Sequence, residues 1–335
     1  MFQSRITGLG KYIPDNLVTN NDLSKLMDTS EEWIVERTGI EERRHIKKRD
    51  GNSTAIMAYK ASKIALERAR ISSSQIDLIL FATLSPDYYF PGSGVLLQKL
   101  LNIKDCPAMD IRNQCSGFIY ALTTADQFIK TGMYQNILVV GSENHSGGLD
   151  MTSRGRAVSV IFGDGAGAVV LSRELNLNRG ILSSHIYSDG QYAEELSLIG
   201  PSTNRWVSEI IRDNDPDDIS YYPKMNGQMV FKHAVVRFSE VIQEALLKNN
   251  WTSKDIDLLV PHQANLRISQ FIQKKFKLED SQLYNNIMRY GNTTAASIPI
   301  ALTEAWEEGK IDEGSKVILA AFGSGFTWGS ISLIW

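Results

Sequence analysis

Three polar residues stand where apolar strand-like runs give way to turns or helices: Cys115 in DIRNQCSGFIYA, His262 in VPHQAN and Asn292 in GNTTAAS. Behind Cys115, GFIYALTTADQFIK places Phe118, Ala121, Leu122, Ala125 and Phe128 on one helical face, so the cysteine sits at a helix start. There, unpaired N–H groups and the positive end of the helix dipole favour the thiolate, the nucleophilic form. Alone, Cys115 reads more simply as a buried structural cysteine, and any one of the five histidines as a surface or core residue. The three together point to covalent catalysis, provided the fold brings their strand ends to one place.

The 335 residues exceed what one small core needs, and 43% hydrophobic with 22% charged residues is ordinary globular composition. A net charge of −3 excludes a globally basic nucleic-acid binder while permitting a local basic patch. Cys106 and Cys115 make neither a disulfide framework nor a zinc pattern, which fits a reducing cytoplasm. The N-terminus lacks a signal-peptide pattern, and no apolar run approaches the roughly 20 residues that span a bilayer, so no membrane partner is expected.

The spacing predicts a helix within residues 20–38, closed by Gly39, with Trp33 and Arg37 on one face, then a solvated charge run EERRHIKKRD. A helix over 53–69 and a strand IDLILFAT follow, then the aromatic loop SPDYYFPGSG and a helix VLLQKLLNI. NILVVGSE reads as a strand covered on both faces, and VSVIFGDGAGAVVLSR as two strands around a glycine turn. That turn lacks GxxxxGK[ST], so it is not a phosphate loop.

The second half repeats the first. SKDIDLLVPHQ echoes SSQIDLILFAT, GNTTAASIPIALTEAWEEGK echoes the cysteine helix, EGSKVILAAFGSG echoes YQNILVVGSE, and GFTWGSISLIW echoes FGDGAGAVVLSR. Cys115 follows Ile76 by 39 residues and Asn292 follows Ile256 by 36, which marks Asn292 as the counterpart of Cys115. Such a duplication of strand–helix units implies mixed, mostly parallel sheets sandwiching helices. The expected halves are residues 1–175 and 176–335, the latter carrying an inserted excursion over about 188–227.

GNTTAAS, PHQANLRI, FGDGAGA, AFGSGFTWGS and DTSEEWIVERTGI together resemble, in order along nearly the whole chain, the motifs of the β-ketoacyl-acyl-carrier-protein synthase III family. These are condensing enzymes of the thiolase-like α/β fold, a five-layered α-β-α-β-α sandwich of duplicated halves. The resemblance implies that Cys115 takes an acyl group from acyl-CoA. Malonyl-acyl carrier protein then loses CO2, and its carbanion attacks the acyl-Cys thioester, initiating fatty acid synthesis. His262 and Asn292 would donate hydrogen bonds to the malonyl thioester carbonyl. The N–H groups of Cys115 and Ser324 would form the oxyanion hole for acyl transfer, and Phe322 would shield the site.

By the same likeness Trp33 and Arg37 sandwich the CoA adenine, with Thr29 near it and either Arg154 or Arg156 as a second arginine. Gly227, Phe231, Ala264 and Asn265 line the pantetheine tunnel. Lys232, Arg267, Lys274 and Lys275 read as a solvated face or as a docking patch for an acidic acyl carrier protein. Phe90 would reach across a homodimer interface into the partner's acyl pocket. No metal and no cofactor beyond the two substrates is implied. Asn113, Gln114 and Ser116 depart from the small residues common in relatives, and the excursion is long, which leaves the primer open. Rival readings are a specialised homologue using longer acyl-CoA or serving secondary metabolism, a cysteine thioesterase, and a non-catalytic carrier-protein-binding module.

Overall fold

Apolar runs without polar alternation demand sheets covered on both faces. A computed structural model describing residues 2–203, 208, 215 and 218–335 shows two of them. Strands β1 (Gln3–Tyr12), β2 (Leu78–Ala82), β3 (Ala108–Ile111), β4 (Asn136–Glu143) and β5 (Gly165–Glu174) form the first, in the order β1-β5-β4-β2-β3. The second contains β6 (Gly180–Ser188), β7 (Leu258–Pro261), β8 (Lys316–Gly323) and β9 (Thr327–Ile334), ordered β7-β8-β9-β6. In the first sheet β2 lies parallel to β3 and β4, and β5 antiparallel to β4 and β1. The second matches it, with β7 parallel to β8, and β9 antiparallel to β8 and β6. Where β3 would recur, a single parallel bridge joins Leu259 to Leu283.

Alternate residues of each strand enter different cores, which defines the layers. Leu78 and Leu80 of β2, with Leu258, Val260, Val317 and Leu319 of the second sheet, pack on the central helices Gly117–Lys130 and Ser297–Glu307. Ile79 and Phe81 face outward onto helix Thr54–Ala69. Leu259, Ile318 and Phe322 face helices Gly227–Lys248 and Leu266–Phe276 on the opposite side. The result is the five-layered α-β-α-β-α sandwich, in which each fully buried aliphatic side chain contributes about 1.5–3 kcal/mol.

Several local readings need correction. The segment 20–38 forms two helices, Asn20–Ser24 capped by Thr19 and Glu31–Thr38 capped by Ser30, because each start has its own capping hydroxyl. The charge run is not all solvated: Glu42–Arg44 pairs with Leu17–Thr19, and Arg43 is wholly buried, donating to the carbonyls of Val18 and Val160. FGDGAGA is not a turn between strands. Its second and third glycines, Gly165 and Gly167, begin β5, where a Cβ on Gly167 would lie 2.7 Å from Pro299 Cβ, so glycine lets the strand approach the central helix. Within the excursion, Leu196–Ser197 pairs with Lys224–Met225, and residues 204–207, 209–214 and 216–217 lie outside the described residues.

Candidate active site

Cys115 lies in a one-turn 3-10 helix, Gln114–Ser116, that leads into the central helix Gly117–Lys130. Gln114 holds φ 44°, a left-handed conformation that turns the chain sharply between β3 and the helix. The Ser116 hydroxyl fixes that turn through Asn113 O (2.9 Å) and Thr327 Oγ1 (2.7 Å). Opposite, β8 ends at Gly323, where a Cβ would lie 2.7 Å from Cys115 Cβ. Glycine is thus what lets the second sheet reach the nucleophile.

The expectation of a resting thiolate is overturned: burial first, and the nearby Glu143 carboxylate second, push the Cys115 thiol up to about 12. The N–H groups of Cys115 and Ser324 act on the sulfur in the opposite sense. A helix start is too weak an influence to offset removal from water. Glu143, buried at the end of β4, is itself raised to about 7 by burial, although Ser85, Leu84, Ala295 and Thr83 all donate to it. Glu143→Gln removes the charge that opposes ionisation of Cys115. It is expected to move the pH midpoint of iodoacetamide alkylation of Cys115 downward; a midpoint that stays put or rises would show that Glu143 does not act on the sulfur.

His262 follows β7, its backbone N–H donating to Ala320 O at 2.8 Å. Burial pushes its pKa down to about 3, so the ring is neutral. Ser297 Oγ, which accepts from Gln263 N–H at 3.4 Å, lies 2.6 Å from Nδ1. The Ser297 proton therefore goes to Nδ1, and the ring carries its own hydrogen on Nε2. That Nε2 is buried with no partner among the described residues, a donor that a substrate oxygen would satisfy. Asn292 Oδ1 accepts from Thr294 N–H at 2.8 Å, which turns the NH2 end of the amide toward the cavity both residues line. Two neutral donors and a thiol thus converge.

Asn292 is not the positional counterpart of Cys115. The 3-10 turn Thr294–Ala296 before helix Ser297–Glu307 matches Gln114–Ser116, and Thr294 shares the left-handed backbone at φ 49°. Ala295 therefore stands where Cys115 stands, 39 residues after the respective isoleucine. The second half contributes donors from the preceding turn instead.

A cavity of about 730 Å³ runs from exposed Arg37 and Arg267 inward to Cys115, His262, Asn292 and Phe322. Gly227, Phe231, Ala264 and Asn265 all line it. Asn265 also caps helix Leu266–Phe276 and donates to Arg37 O at 2.9 Å, tying the two sides of the mouth together. Phe322 packs against Phe326, ring centres 4.8 Å apart. At the mouth the guanidinium groups of Arg37 and Arg156 lie 4.5 and 4.6 Å from the centre of the Trp33 ring. Arg154 instead bonds Asp150 at 2.6 Å and lies over Tyr222, which separates the two candidate arginines. Thr29 is not among the lining residues; its buried Oγ1 has no partner among the described residues. Ser324 turns its hydroxyl to Leu196 O.

Lys274 and Lys275 are exposed on the last turn of helix Leu266–Phe276, Lys232 is exposed on helix Gly227–Lys248, and Arg267, which lines the cavity, lies over Phe231. Phe90 is 81% exposed, beside exposed Tyr88 and Tyr89. Sequence reasoning missed Ser297, Glu143, His145 and Thr294, whose partners lie far along the chain. Only Ser297 and Thr294 carried a signal, their place inside GNTTAAS.

A cysteine at a central helix start, facing a histidine and an asparagine across a duplicated five-layered sandwich, defines a condensing enzyme of the thiolase-like fold. Residues 109–190 match the family model for 3-oxoacyl-[acyl-carrier-protein] synthase III, and residues 246–335 match the model of its C-terminal part. β-Ketoacyl-[acyl-carrier-protein] synthase III of Rhodospirillum centenum is 44% identical over 99% of both chains, and that of Aliivibrio fischeri 46% over 98% of both. The crystal structure of the Aquifex aeolicus synthase III aligns with TM-score 0.89 at 41% identity, covering 99% of this chain and 100% of that one. The chain belongs to the β-ketoacyl-acyl-carrier-protein synthase III family of condensing acyltransferases.

Proposed function

We propose that this chain condenses an acyl-CoA primer with malonyl-acyl carrier protein, through an acyl-Cys115 intermediate and loss of CO2, in the cytoplasm and without a resident cofactor. The observation that carries this reading is the Nε2 of His262, without a partner among the described residues, beside Asn292 in the cavity that ends at Cys115. A hydrolase acting through acyl-Cys115 has no use for two neutral donors aimed at a second carbonyl, whereas decarboxylation leaves an enolate oxygen that needs them. N–H groups of Cys115 and Ser324 stabilise the oxyanion of acyl transfer, and Phe322 shields the thioester. We read 1–175 and 176–335 as the two halves, one supplying the nucleophile and the other the donors.

Trp33, Arg37 and Arg156 take the adenine of CoA at the mouth, while the exposed Lys232, Arg267, Lys274 and Lys275 steer an acidic carrier protein to the same opening. The exposed aromatic loop around Phe90 supports a homodimer. Incubation with acyl-CoAs from acetyl to dodecanoyl, read by intact mass and followed by malonyl-acyl carrier protein, tests the reading. An adduct at Cys115 converted to β-ketoacyl product supports it; release of free acid alone identifies a hydrolase. The chain length that labels Cys115 distinguishes a short-primer initiator from a specialised synthase.

Trp33→Ala tests the CoA end. Stacking of a base on an aromatic ring is worth about 1–3 kcal/mol, so KM for acyl-CoA is expected to rise about tenfold. KM for the matching acyl-pantetheine, which lacks the nucleotide, should stay unchanged. Equal rises for both would place the adenine elsewhere.

A further inference from the structure

Asn292 is held from two directions. Its backbone N–H donates to Ile161 O at 2.8 Å and its carbonyl accepts from Gly163 N–H at 3.1 Å, while its side chain is set, among the described residues, by Thr294 N–H. Thr294 is β-branched yet sits at φ 49°, where such a residue persists only if its surroundings hold it. The hold on its side chain is His145. Nε2 of that ring lies 2.6 Å from Thr294 Oγ1, both residues are buried, and the ring lies against Phe162 with centres 4.7 Å apart. His145 is anchored in turn by Asp164, whose Oδ1 accepts from the backbone N–H of His145 at 2.7 Å and of Ser146 at 2.9 Å. Phe162 and Asn292 are joined by a parallel bridge, so anchor and target belong to one packed unit.

We propose that His145 is a positioning residue for the condensation step: through the Thr294 hydroxyl it fixes the left-handed turn whose N–H orients the Asn292 amide toward the malonyl thioester oxygen. This rests on the condensing reading above. Whichever of Nε2 and Oγ1 donates, the pair sets the Thr294 rotamer; without it the strained backbone relaxes and the N–H leaves Asn292 Oδ1. Cys115 sits on the other turn, Gln114–Ser116, and this turn bears on it through Ala295 N–H at Glu143, a carboxylate that opposes its ionisation, so loosening the turn is not expected to slow acylation.

The test compares wild type, Thr294→Val, Thr294→Ser, His145→Leu and the double variant H145L/T294V. Two half-reactions are followed: Cys115 acylation by acyl-CoA, from intact mass, and release of labelled CO2 from malonyl-acyl carrier protein. Thr294→Val keeps the shape and loses the hydroxyl, so CO2 release is expected to fall about tenfold with acylation unchanged, since complete removal of such a donor costs 10²–10³. Thr294→Ser, which keeps the hydroxyl, should restore the rate. His145→Leu should match Thr294→Val, and the double variant should be no worse than either single. Equal loss in both half-reactions, additive losses, or a Thr294→Val enzyme with wild-type CO2 release overturns the proposal; Thr294→Val decides it if His145→Leu does not fold. A wild type that acylates but never releases CO2 overturns the condensing reading, and this inference with it.

Discussion

Cys115→Ser is expected to fold normally and to lose acyl transfer from acyl-CoA by at least about a thousandfold. Among the described residues the site supplies no activating base against the nucleophile: the Glu143 carboxylate opposes ionisation, and His262, which takes the Ser297 proton at Nδ1, carries its own hydrogen on the Nε2 that enters the cavity. A thiol survives this environment because sulfur is intrinsically nucleophilic and a small thiolate fraction, met by the N–H groups of Cys115 and Ser324, suffices. An alcohol has no comparable fraction. The substitution is nearly isosteric at a buried position, so the loss should appear as an absent acyl adduct by intact mass with an unchanged melting temperature. Acylation near the wild-type rate would overturn the assignment of Cys115 as nucleophile. Cys106 provides the internal control, since burial also raises its pKa and it lies away from the cavity.

The repeat was legible because both halves keep the same apolar runs, and those runs report only that a strand is covered on both faces. IDLILF and IDLLVP became β2 and β7, and NILVVGSE and KVILAAFG became β4 and β8. What the runs do not carry is the register of the turns between them. The three-residue slip that paired Asn292 with Cys115 arose because both are polar and both precede a helix. The backbone instead matches Gln114 with Thr294, two non-glycine residues at positive φ that no periodicity reveals. Similarly, EERRHIKKRD looked solvated because charge usually means water. Arg43 is buried because two backbone carbonyls, Val18 in the short strand Leu17–Thr19 and Val160 at the end of helix Arg156–Ser159, need a donor there, a demand set by tertiary packing. The Cys115 thiol misled for the same reason: a helix start is visible in sequence, and the depth at which the helix is buried is not.

The end residues of β4 and β8 show how one duplicated frame serves two purposes. Glu143 and Gly323 occupy the same place, each at the last position of its strand and each against the turn of the opposite half. Glu143 accepts from Ala295 N–H and fills its corner with a hydrogen-bonded carboxyl; Gly323 leaves its corner open, and Cys115 stands in it. Reactivity therefore lies where the repeat places the smaller residue, and rigidity where it places the larger.

His262→Ala is expected to separate the two half-reactions most widely: CO2 release from malonyl-acyl carrier protein should fall about 10²–10³-fold, while acylation of Cys115 stays within about threefold of wild type. Among the described residues no hydrogen bond ties His262 to the proposed oxyanion donors, the N–H groups of Cys115 and Ser324. Its polar contacts among the described residues are Ser297 at Nδ1 and, through its backbone, Ala320 and Ala264. Because the ring is already neutral, with its pKa depressed to about 3 by burial, the loss should be the same at pH 6 and pH 8. A general base titrating in that range would instead give a pH-dependent loss. Asn292→Ala should behave alike, and the double variant should be little worse than either single, since two donors to one enolate oxygen act as a unit. Parallel loss of acylation and decarboxylation in His262→Ala would refute the division of labour and return the histidine to activating the thiol.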